Sequence, residues 1–93
     1  MAHISLDSAV RIHEDVVFRE LDGEAVILQL QSGVYFGLDP VGTRLWQMLE
    51  MHGSLRRTAE EAVKEFDTTP EVIERDLLAL AAELESRQLV TIE

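Results

Sequence analysis

Three histidines, His3, His13 and His52, are the side chains best suited to metal binding in this 93-residue chain, and their spacing gathers them on no single helix face. No cysteine is present, which excludes a thiolate metal site, a thiol nucleophile and a disulfide framework. The carboxylate pairs Glu60-Glu61 and Glu83/Glu85 fall in segments whose other faces are apolar, the pattern of a solvated helix surface and not of a poised acid–base pair. Ser5, Ser8, Ser32, Ser54 and Ser86 lack the setting of an activated nucleophile. The five glycines form neither GxGxxG nor a GxxxxGK loop followed by Ser or Thr, so no phosphate cradle is encoded. The expectation is a protein that is not an enzyme, with no catalytic residues, no metal and no cofactor.

What remains is the chemistry of the main chain, and the elements that would expose it can be read in order. The run from His13 to Leu21 contains Val16, Val17 and Phe18 and stops at Asp22-Gly23, a pair that tolerates positive φ and favours a tight hairpin. A second strand, Glu24 to Gln31, places Val26, Leu28 and Leu30 on the face expected to be buried, with Ile27, Gln29 and Gln31 opposite. Ser32-Gly33 supplies the next turn, and in a third strand Val34, Phe36 and Leu38 alternate with Tyr35 and Gly37. Asp39 is suited to cap a helix and Pro40 to open it, with Val41, Leu45, Met48 and Leu49 recurring at helical spacing beside Trp46 until Gly53. Ser54 caps a second helix with the stripe Leu55, Ala59, Ala62, Val63 and Phe66, ending near Asp67. Thr69-Pro70 starts a third, whose Ile73, Leu77, Leu80 and Leu84 fall within about 60° of arc. The fold class expected is α+β, a three-stranded antiparallel meander followed by three helices. Residues 1–12 show no clear period and read as an irregular N-terminal segment; residues 13–93 read as one domain.

In such an order the third strand can lie at the edge of the sheet with unpaired N–H and C=O groups, able to accept an extended peptide as one more strand. Four to six added backbone hydrogen bonds, each worth roughly 0.5–1.5 kcal/mol, would need side-chain pockets beside them. The third helix can wall such a pocket. Tyr35 reads equally well as an exposed edge aromatic or as a groove contact. The same edge can pair with a second copy of the chain, which leaves a possible homodimer open.

Composition narrows the function classes further. The formal net charge is −10, and ten acids against three basic residues lie from Ala59 to Glu93. A winged-helix DNA-binding protein is the competing reading of the helix pair over residues 54–87. The helix that would enter the groove of DNA, Pro70 to Arg87, carries five acids against two arginines, which opposes phosphate contact. No nucleic-acid partner is expected. The longest apolar run, Leu77 to Ala82, is six residues, far short of the roughly 20 that span a bilayer, so no membrane partner is expected either. The start MAHISLDSAV lacks the features of an export signal, and a cytoplasmic location is expected. A general protein–protein adaptor, working through Tyr35 and the outer helix faces, is a third reading.

Residues from about Val16 to Val90 resemble the PqqD family, the small recognition elements for ribosomally made precursor peptides, and most of all its stand-alone members from lasso-peptide pathways. The resemblance rests on Gly23-Glu24 before Val26-Ile27-Leu28, then on the run from Ser32 to Asp39, Val41-Gly42 and Leu45-Trp46 leading to Leu49. It continues through Gly53-Ser54, Ala62-Val63, Phe66-Asp67, Asp76, Leu80, Leu84 and Leu89-Val90, while Gln31 and Gln88 stand where relatives often have Asp and Gly. What the resemblance implies is a winged helix-turn-helix-like, PqqD-like domain that binds the leader segment of a precursor peptide and presents it to a separate leader peptidase and cyclase. Carried over, the strand contacts fall on Val34, Tyr35, Phe36, Gly37 and Leu38, and the helix contacts on Ile73, Asp76, Leu77 and Leu80.

Overall fold

Ile27 is the hub about which the sheet and helices close. In a computed structural model, which describes residues 4–93, this side chain is fully buried, paired across one neighbouring strand with Phe18 and across the other with Phe36. The chain runs β1 (Val10–Ile12), β2 (Val16–Leu21), β3 (Glu24–Gln29), β4 (Tyr35–Leu38), α1 (Pro40–His52), α2 (Leu55–Glu65), α3 (Pro70–Ser86) and β5 (Val90–Ile92). The three-stranded antiparallel sheet β2-β3-β4 followed by three helices is the α+β fold expected, and β4 is its third strand.

The turn and cap residues act as their chemistry dictates. Asp22 and Gly23 both take positive φ, 55° and 81°, and reverse the chain between β2 and β3. Asp39 Oδ1 accepts the Gly42 N–H at 2.7 Å, Ser54 Oγ accepts that of Arg57, and Thr69 Oγ1 accepts that of Val72. Gly53, with φ of 64°, donates back to the Leu49 carbonyl and ends α1.

The buried face of β3 is opposite to the expected one. Ala25, Ile27 and Gln29 point inward, while Val26 and Leu30 are exposed and Leu28 is half-buried. Hydrophobicity alone favours the Val26 face, because Val26, Leu28 and Leu30 are all apolar whereas the opposite face sets Ile27 beside two glutamines, Gln29 and Gln31. The burial of Gln29 is tolerated because its amide is satisfied: Nε2 donates to the Gln88 carbonyl at 2.8 Å and Oε1 accepts the Gln31 N–H at 2.9 Å. That second bond also ends β3 at Gln29, two residues early.

Val41, expected on the inner stripe of α1, is likewise exposed. Trp46 fills the space between α1 and the sheet, stacked parallel to Phe18 with centroids 6.4 Å apart. Val10–Ile12, within the segment read as irregular, pairs antiparallel with Val90–Ile92, and Ala9 and Glu93 exchange backbone hydrogen bonds at 3.0 and 2.8 Å. His3 lies outside the described residues.

Candidate functional site

Among the described residues β4 pairs only with β3, so its other side is an edge. Which groups it exposes follows from register. Gln29 N–H donates to the Val34 carbonyl at 2.8 Å, and hydrogen-bonded pairs recur every second residue in an antiparallel ladder. The inward-bonding positions are therefore Val34, Phe36 and Leu38, and the outward N–H and C=O groups belong to Tyr35 and Gly37. Side chains follow the same parity: Phe36 and Leu38 point toward the helices, whereas Tyr35 stands on the outer face of the sheet, 68% exposed.

Between β4, the start of α1 and α3 lies a groove of about 360 Å³. Phe36, Gly37 and Leu38 form its strand wall, and Asp76, Ala79 and Leu80 its helix wall. Five of the nine residues named from sequence thus meet there. Val34 precedes β4 and bonds inward, and Tyr35 brings its backbone to the rim while its side chain points to the other face. Ile73 and Leu77 do not line the groove: they are 3% and 0% exposed and belong to the core beneath it. A hollow of about 430 Å³ between Leu6, α2 and the start of α3 is larger, but no unpaired strand borders it.

Sequence reasoning missed Asp39, Val41, Gly42, Leu45 and Ala79, all of which line the groove. The first four were within reach, because a helix capped directly after an edge strand must bring its first turns beside that strand. Ala79 lies three residues beyond Asp76, on the same helix shoulder. Arg87, whose guanidinium lies 4.7 Å from the Phe36 ring centroid, gave no local signal. Among the described residues no three metal-ligating side chains come together, and no helix is long and apolar enough to cross a membrane.

The chain is similar in structure to TbiB1, solved in complex with the TbiA(beta) leader peptide, with a TM-score of 0.81 and 35% identity over 86% of this chain and 93% of that one. It also matches a lasso peptide synthetase B1 complexed with the leader peptide, with a TM-score of 0.79 and 23% identity over 89% of this chain and 98% of that one, a likeness of fold. No match was found among curated proteins. The family model for coenzyme PQQ synthesis protein D, PqqD, matches residues 24–90. The chain belongs to the PqqD family.

Proposed function

We propose that this protein binds the leader segment of a ribosomally made precursor peptide as a fourth strand on β4, laid against α3, and presents it to a separate leader peptidase and cyclase. The observation that carries this reading is the coincidence of an unpaired edge, at Tyr35 and Gly37, with a groove directly beside it. Four outward backbone groups supply roughly 2–6 kcal/mol, short of the ~8 kcal/mol of a micromolar complex. Apolar leader side chains entering between Leu38 and Leu80 supply the rest, at about 1.5–3 kcal/mol each. Val34 acts through the turn that sets the register of β4, and Ile73 and Leu77 act as the packed floor that holds α3 in place. TbiB1, at 35% identity, was solved with a leader peptide bound, which supports the same class of ligand here.

Presentation has its own surface. Leu21, Val26, Leu30 and Tyr35 are all exposed on the outer side of the sheet, with Leu28 half-buried among them. An added strand would extend this apolar face by alternate leader side chains, so an enzyme that docks there meets protein and substrate together. The protein itself does no chemistry, and a substrate fresh from the ribosome places the step in the cytoplasm. Titration of the isotope-labelled protein with the leader of the precursor encoded beside it tests the reading. Amide shifts at Tyr35, Gly37, Ala79 and Leu80 support it; binding that leaves all four unmoved overturns it.

A further inference from the structure

The groove is not electrically uniform. Over the ring of Phe36, a residue of its strand wall, lies the Arg87 guanidinium, whose Nε is buried without a hydrogen-bond partner among the described residues. Glu83 Oε2 stands 3.5 Å from that nitrogen, near enough to attract it but without hydrogen-bond geometry. Two carboxylates, Asp39 and Asp76, line the same groove. Asp39 directly follows β4, so it lies three residues, or about 10 Å, along the chain from Phe36. Asp76 lies eleven residues before Arg87, about 16 Å along α3. Its ion pair with Arg75 at 3.4 Å is exposed and leaves its other oxygen free. A backbone ladder barely discriminates direction, since parallel and antiparallel additions to an edge differ little in stability. Unlike charges spaced along the strand wall, Arg87 over Phe36 and Asp39 beyond Leu38, do discriminate.

We propose that Arg87 is a specificity-determining residue: it binds a carboxylate side chain of the incoming peptide and, opposed by Asp39 and Asp76, fixes that peptide antiparallel to β4. This rests on the leader-binding reading and adds a chemical signature to it. The N-terminal part of an antiparallel strand runs beside Leu38 and Asp39, so the ligand carries a Lys or Arg there and an Asp or Glu further on beside Phe36 and Arg87. The roughly 10–16 Å of backbone rise that separates these residues corresponds to three to five strand residues, and a shared side-chain face makes the spacing about four. The Arg87 guanidinium is pre-oriented by the Phe36 ring, so little side-chain entropy remains to be lost when the carboxylate arrives.

A displayed library of random 12-residue peptides, selected in parallel on the wild type, Arg87→Gln and Arg87→Glu, tests this without knowledge of the natural leader. Amide spectra of each variant first establish that it is folded, and Arg87→Gln stands in should Arg87→Glu not fold. The expected result is that wild-type binders share a basic residue about four positions before an acidic one. Arg87→Gln weakens such a peptide about tenfold, and Arg87→Glu selects a basic residue at the former acidic position. Binders that shift the Tyr35 and Gly37 amides yet carry the same charges on all forms overturn the role of Arg87 and leave the edge reading standing. A library in which nothing engages those amides overturns both.

Discussion

The Gln29 side-chain amide reaches the Gln88 carbonyl at 2.8 Å, joining residues 59 positions apart in the chain. This bond ties the end of β3 to the exit of α3, where Gln88 itself takes a left-handed φ of 59°. It therefore helps set the distance between β4 and α3, and with it the width of the groove. Gln29→Leu leaves the Gln88 carbonyl and the Gln31 N–H without their partner, and the expected loss is about 1–2 kcal/mol in urea denaturation. A stability unchanged or raised would show that the buried amide is dispensable.

Two leucines three residues apart should not be equivalent. Leu77 and Leu80 belong to one stripe by sequence, yet Leu77 is fully buried and Leu80 lies at the groove. Leu77→Glu places an unpaired carboxylate in the core and should unfold the domain. Leu80→Glu should leave the circular dichroism and melting temperature close to wild type while reducing peptide affinity at least about tenfold, the loss of one buried apolar contact. Calorimetric titration of both variants separates the roles.

Gly37 gives a backbone test. A Cβ added there meets nothing within 4 Å, and the residue does not need positive φ, so Gly37→Ala should change neither folding nor peptide binding. Gly37→Pro removes one outward N–H without removing any bond to β3, a change that edge strands accommodate. Binding should fall several-fold, as expected for one backbone hydrogen bond, while thermal melting shows the fold intact.

Trp46 is expected to report folding and not occupancy. It is 1% exposed and stacked on Phe18, and its Nε1 has no hydrogen-bond partner among the described residues. Saturation with peptide should leave its emission maximum unmoved, and urea should shift it to the red as the ring meets water.

The order of elements was legible because each boundary carries its own chemistry: Asp22-Gly23, Asp39-Pro40, Gly53-Ser54 and Thr69-Pro70 all stand where the chain turns or a helix begins. The inward face of β3 was not, because both faces of that strand are largely apolar and only the partners of Gln29 decide between them. The groove was half legible. Strand parity puts Phe36 and Leu38 on the helix-facing side of β4, where the structure has them, but a helical stripe does not say where core ends and groove begins, and it joins the buried Ile73 and Leu77 to Leu80. The contact of Arg87 with Phe36 arises only once α3 has folded back over the sheet.

Hydrogen exchange at two amides tests strand addition most directly. With the leader peptide at ten times its dissociation constant, the Tyr35 and Gly37 amides should exchange about tenfold more slowly than in the free protein, because each becomes a donor to the added strand. Saturable binding with exchange at those two amides unchanged would contradict it.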